Sequence, residues 1–552
     1  MDRRNFFSSI LVNNSLTSSA LGIQSLEECA TGSIEQYSGP WGVRQAAHLL
    51  RRTVYGANLS QITEMASLDV GTAVDLLLAE LAMPEGPQNY DFESDPNVSV
   101  GQSWVNAPFY ALNNYQFRSM NAWTAGRMLS GELNLREKMV LFWHNHFPVG
   151  DILDARFLYR YNSTLRRFAL GNFKQLTKEI TVDPAMLRYL NGNQNTRNAP
   201  NENYARELLE LFTVGKGDLA GPGDYTTFTE ADVTAMAKCL TGWRDVGYRS
   251  ALIGTIGNQF RAGQHDTTQK QLSHRFGGAI IPNAGQDEYA NLIDVVFQSP
   301  HVALHICRKL YRYFVYYQID DQVETHIIRP MAEAFEASGF DIKEPLSLLL
   351  KSEHFFDIEN EGCIIKNPWE FLTNVIVPFN LRPNPDLAST YRFWLAVFQY
   401  ASLLQMQFYA PPDVAGWKAY YQSPSYYQLW LSSVSIILRQ NLTSAILAAG
   451  VNTGGIRIDI NVLDLINGLP DPFDVNEVLK SIQTMTLPKS FSDNQLAVIK
   501  DILIPGLPDY EWTIEYNLYL ENPNNVIIRR ALEAKIRAML NYLFKMPEYQ
   551  LS

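Results

Sequence analysis

The chain has 552 residues, 46% of them hydrophobic and 18% charged, with a formal net charge of -12. This composition buries a large core and excludes intrinsic disorder, while the acidic balance and the lack of any basic run exclude a generic nucleic-acid binder. No stretch approaches the roughly 18 consecutive apolar residues of a membrane helix, and Cys29, Cys239, Cys307 and Cys363 form no CxxC pair of the zinc-knuckle or thioredoxin kind.

Residues 1–40 form an N-terminal segment in which Arg3-Arg4 precedes Phe6-Phe7. That order is similar to a twin-arginine export signal, in a degenerate form because Asn13 and Asn14 interrupt its apolar part. From 41 to 450 apolar residues recur at spacings of three and four, in AAHLLRRTVYG, LREKMVLFWHNHF, ADVTAMAKCLTGW and VALHICRKLYRYFVYY. This periodicity predicts an all-α fold, a large multi-helix body. Thr229 with Asp232 three residues on predicts a helix start, and Gly242 marks the end of the same element. After Gly450 β-branched residues and prolines accumulate, and residues 451–552 read as a smaller C-terminal lobe packed on the body.

Three polar stretches carry the candidate chemistry. In NENYARELLELF, at about 100° per residue, Asn203, Arg206, Glu207 and Glu210 share one helical face. Asn201 or Asn203 caps this helix, and Arg206 pairs with Glu210 at i,i+4. Glu207 is left without a local partner, at the i,i+3 spacing from Glu210 that helical carboxylate metal sites use. In FWHNHF, residues two apart on a helix diverge by about 200°, so His144 and His146 meet only if the helix ends between them. Pro148 and Gly150 predict such an end. In QHDTTQK, His265, Asp266 and Lys270 sit in a Gly-flanked loop. His144, His146, Glu207, His265 and Asp266 are an inventory suited to a divalent zinc, iron or manganese ion, with Asn203, Arg206 and Lys270 completing a polar centre. His301 and His305 lie i,i+4 on one face and read as a weaker, local pair. Trp417, Tyr420 and Tyr421 supply rings for packing or for stacking on a partner or glycan. GxSxG, HExxH, GxxxxGK[ST] and strand-linked GxGxxG motifs are missing.

Taken together, AAHLLRRTVYG, REKMVLFWHNHF, NENYARELLELFTVG, HDTTQK, SPHVALHICRKLYRYFV, IIKNPWEF and PPDVAGW give a chain that resembles the bacterial domain-of-unknown-function 1800 family from about Ala46 to the last helix. The resemblance implies a mainly helical fold and no established activity. It also implies a twin-arginine-like start and a neighbouring exported protein of the domain-of-unknown-function 1501 family as partner. Family motifs overlay His144, His146, Asn203, Arg206, Glu207, Glu210, His265, Asp266, Lys270, Gly416 and Trp417, whereas some relatives carry His where this chain has Phe212. Two functions are expected from these residues. One is an exported metal-dependent hydrolase, periplasmic or at the cell surface, with Glu207 or Glu210 as ligand or general base. The other is a non-catalytic envelope or surface scaffold; a cytoplasmic location is the alternative to export. Glu207 is expected to share a buried polar centre with His144 or His146.

Overall fold

Helix starts are written into the sequence. Thr229 and Asp232 form a reciprocal capping box, Asp232 Oδ2 accepting from the Thr229 amide at 2.8 Å, and Asn58 with Gln61, Asn367 with Glu370 and Ser492 with Gln495 repeat the device. The computed structural model describes residues 33–111, 114–252, 254–383, 385–417, 430–448, 450–453 and 456–552. Among these the fold is mostly α-helical. Its strands form four two-stranded antiparallel ribbons: Leu219–Gly221 with Asp224–Tyr225, Trp243–Val246 with Gly257–Phe260, Lys270–Gln271 with Ile280–Ile281, and Val451–Thr453 with Ile456–Ile458. Arg3-Arg4, Cys29, Tyr420 and Tyr421 lie outside the described residues. No described helix is long and apolar enough to cross a membrane.

The central helices are buried on nearly every face, so the charge they carry into the core needs partners. In the Arg136–His146 helix, Glu137 accepts from Arg166 and Lys138 donates to Glu370, all four residues being buried. The Tyr115–Met128 helix packs against the Leu387–Leu403 helix at Gly126, where a Cβ would lie 2.4 Å from the indole of Trp394. Gly126 therefore lets the two helix backbones approach one another. Gly242, which follows the Glu230–Cys239 helix, has φ +94 and lies where a Cβ would be 3.0 Å from the Arg261 carbonyl.

The segment after residue 450 is joined to the body at several places. Arg51 donates to the Thr484 carbonyl at 2.6 Å, the Lys366 amide to Gln550 O at 2.8 Å and the Ser552 amide to Ile364 O at 2.9 Å. Cys239, Cys307 and Cys363 are free and buried, as small apolar side chains commonly are.

Candidate functional site

The Arg136–His146 helix runs through both histidines and ends at Phe147, whose φ of -115° and ψ of 59° leave helical space. The expected break between His144 and His146 is not there, because the helix stops only where Pro148 forces it. The two imidazoles accordingly point to different neighbours instead of converging.

His144 is fully buried and stacked on Phe408, with ring centroids 4.2 Å apart. The Tyr409 amide donates to its Nε2 at 3.1 Å, so the ring proton sits on Nδ1, 3.0 Å from the Tyr161 hydroxyl. Tyr161 passes the chain on, donating to the Phe147 carbonyl at 2.5 Å. Burial holds the His144 pKa down at about 3, and the ring is neutral. Asn145 grips the backbone of the next loop, accepting from the Trp417 amide at 2.6 Å and donating to the Trp417 carbonyl at 2.9 Å. Gly416 has φ +75 and a Cβ there would stand 2.3 Å from Asn145 Oδ1, which is why glycine precedes Trp417. The Trp417 ring is 6% exposed and lies 5.5 Å from His144. It packs in the core and presents no open stacking face. Tyr409 itself is held at φ +66, an uncommon conformation for a tyrosine.

His146 serves the opposite side. Residues Asn203–Glu207 form an α-helical turn that widens into a π-turn over Leu208–Phe212, and a π-turn leaves carbonyls that need outside donors. His146 Nε2 donates to Phe212 O at 3.0 Å, His305 Nε2 to Leu211 O at 3.0 Å, and Lys309 Nζ to the same Leu211 carbonyl at 3.1 Å and to His146 Nδ1 at 2.9 Å. Leu208 O receives Thr213 Oγ1 and Leu209 O the Gly215 amide. Burial lowers the Lys309 pKa to about 7 and the His305 pKa to about 3, each side chain lacking a carboxylate partner among the described residues. The polar centre is thus real, but it is built from His146, His305, Lys309 and backbone carbonyls, and Glu207 makes no hydrogen bond with either FWHNHF histidine.

Arg206 also differs from expectation. Its guanidinium takes both oxygens of Glu230, at 2.8 and 2.7 Å, and reaches Glu202 at 3.4 Å, while Glu210 pairs with Lys216 at 3.0 Å. The fork geometry of Glu230 at the start of the next helix outcompetes the i,i+4 pairing. Asn201 accepts from the amide of the exposed Asn203 at 2.9 Å and opens the turn. Glu207 remains half-buried with no hydrogen bond or ion pair among the described residues. Burial raises its carboxyl above the ordinary range, and Glu210 and then Asp413 add to the rise. Tyr189 is raised by burial and then by Asp413, Asp151 and Glu207. A Cβ on Gly150 would lie 3.4 Å from the Tyr189 ring and 3.9 Å from Pro411. Glu207 thus lies within electrostatic reach of Glu210, Asp413 and Tyr189, with Arg206 and Lys216 acting against the rise.

The HDTTQK residues form a separate knot. His265 is 2% exposed, with Nδ1 donating to Thr241 O at 2.9 Å and Nε2 at 3.1 Å from Glu288. Lys270 pairs with the other Glu288 oxygen at 2.5 Å and donates to the Asp266 carbonyl, and the Asp266 carboxylate caps the Thr268 amide at 2.8 Å. His144, His146 and His265 therefore each have both ring nitrogens engaged by the protein itself. As folded, they turn no free lone pair toward an ion, and among the described residues no group of three or more His, Cys, Asp or Glu stands together as ligands. Asn145, Glu230, Glu288, Lys309 and Asp413 were not singled out from the sequence. Lys309 was findable, since it lies i,i+4 from His305, and Asp413 stands inside PPDVAGW.

Helix ends, a π-turn and a glycine-tight loop gathered on one helix terminus define a mainly helical protein whose motif residues hold its backbone together. The chain belongs to the family described as protein of unknown function (DUF1800), whose model matches residues 48–551. No curated protein and no solved structure matches the chain.

Proposed function

We propose that the protein is a hydrolase in which Glu207 acts as general base on water, beside Asp413, Glu210 and Tyr189. The observation that supports this reading is Glu207 itself, a half-buried carboxylate with a raised pKa and no hydrogen-bond or ion-pair partner among the described residues. Burial of a carboxylate without a partner has a cost, so a half-buried one beside other acids and without a partner among the described residues is a candidate for proton transfer. A raised pKa also makes the carboxylate a stronger base near neutral pH. The reading calls for no metal, because the histidines expected as ligands are engaged elsewhere. Export is supported by the Arg3-Arg4 sequence, and a 1501-family partner by the resemblance alone.

The test is a hydrolysis assay against nitrophenyl esters, phosphates and glycosides. One of these classes is expected to turn over, with a rate that falls as pH drops through the raised Glu207 pKa. Glu207→Gln should lower the rate by about 10²-fold or more while leaving the melting temperature unchanged or raised, since it removes repulsion from Glu210. Full turnover in Glu207→Gln, or no turnover of any class by the wild type, removes the proposal and leaves the motif residues with a scaffold role.

A further inference from the structure

Beside the Leu387–Leu403 helix lies a cavity of about 210 Å³. One face of that helix walls it, with Phe393, Ala396, Tyr400 and Leu403 in line, and the Pro368–Ile376 and Ser433–Ala448 helices add Val375 and Ile446. The cross-strand pair Val451 and Ile458 forms a further wall. No charged side chain among the described residues lines it. Its two polar residues offer a guest little, since the Tyr400 hydroxyl donates to the Leu438 carbonyl at 2.7 Å and Gln399 is exposed at the rim. Water is held in a cavity by several polar partners, so this one is dry, and apolar cavities of about 150 Å³ take apolar guests. A dry void beside a close-packed core costs stability that such a guest restores. Phe393 to Leu403 spans roughly 15 Å of helix, so the volume is drawn out rather than round. Its inner part is buried, Phe393, Val375 and Ile446 included, whereas Leu403 is 60% exposed. Ile437, next to Leu438, and Val434, a turn earlier, are 56% and 60% exposed and give the same neighbourhood more open apolar surface.

We propose that this cavity takes the alkyl tail of a single-chain lipid, inserted past Leu403 toward Phe393 with its head group left in water. A narrow, dry volume fits a straight chain better than a ring or cage, and walls without charge give no counter-ion to a buried carboxylate or phosphate. The exposed Leu403, Val434 and Ile437 supply an apolar approach for the tail. The proposal goes beyond the hydrolase reading and does not rest on it, since Glu207 is not a wall residue.

Isothermal titration of the full chain with hexanol, octanol, octanoate and adamantanol tests the proposal. Octanol is expected to bind about fifteenfold more tightly than hexanol, each buried methylene adding about fourfold. Octanoate should match octanol to within about tenfold, because a head group in water makes no charge-assisted bond to the protein. The caged adamantanol should bind at least about tenfold more weakly than octanol, since it overfills a narrow volume. Ala396→Phe, which fills the cavity, should abolish octanol binding and leave the melting temperature unchanged or raised. If that variant does not fold, Leu442→Phe fills the same volume from the facing helix. No binding of octanol by the wild type, no gain from hexanol to octanol, a preference of more than about tenfold for either head group, adamantanol within about tenfold of octanol, or unchanged octanol affinity in the filled variant overturns it.

Discussion

Lys309 shows at the residue scale why motif positions can be indispensable without being catalytic. It donates to a π-turn carbonyl and to His146, and burial lowers its pKa from 10.5 to about 7. Between those values the unfolded chain binds the extra proton and the folded chain does not, so stability rises with pH across that window and is lost as pH falls toward 7. Lys366, lowered to about 7 by burial, acts in the same direction. Asp183, raised to about 7, acts below that window, where its contribution is lost as pH climbs. Guanidinium unfolding at pH 7, 8 and 9 should therefore show a rising free energy, and Lys309→Met should flatten the rise by up to about 1.4 kcal/mol per pH unit. An unchanged slope would mean that Lys309 stays charged in the fold. The sequence showed His144, His146 and His265 as polar residues needing partners. It did not show that each of them takes one backbone partner, namely Tyr409 N–H and the carbonyls of Phe212 and Thr241. Every residue type carries such groups, so they leave no trace in composition or spacing.

Elements were legible where their signal is local. The Thr229 capping box is present as read, because its two hydrogen bonds join residues three apart. The NENYARELLELF helix lies where its periodicity put it, yet the π-turn over Leu208–Phe212 did not show, since a one-residue widening keeps the same apolar pattern. PPDVAGW forms a loop, but the need for Gly416 comes from Asn145, more than 250 residues earlier and 2.6 Å from the Trp417 amide. That contact yields a coupled prediction. Gly416→Ala should destabilise by about 2 kcal/mol or more through its positive φ and the clash with Asn145. Asn145→Ala should cost a similar amount by orphaning the Trp417 amide and carbonyl. Since both remove the same grip, a double-mutant cycle by chemical denaturation should give a combined loss well short of the sum. Strict additivity would show that the two residues act separately.

At the scale of the whole molecule, the change of texture after Gly450 was readable but its attachment was not. The attachment runs through an isolated bridge between Ile365 and Leu551, too short to carry a strand pattern in either sequence. Around it, Lys366 Nζ donates to Tyr549 O at 2.9 Å and lies 4.5 Å from the Tyr549 ring centroid, while Arg439 reaches Gln550 Oε1 at 3.1 Å. Tyr549 is 0% exposed and packs on Phe371 and Phe544. The last residues thus cover the buried Lys366 and Arg439 side chains of the body and join its Phe371 to Phe544 of the C-terminal segment. Removing residues 547–552 takes away an aromatic anchor worth about 3–5 kcal/mol on its own and leaves the Lys366 ammonium without its Tyr549 acceptor and Arg439 with only the Lys366 carbonyl, so the loss should exceed that figure. Thermal melting of this truncation should show one transition, shifted well below the full chain, if the C-terminal segment and the body unfold as a unit. A body that melts at its original temperature after the deletion would instead make residues 451–552 an independent lobe, and the interface around Tyr549 a contact that the body does not need.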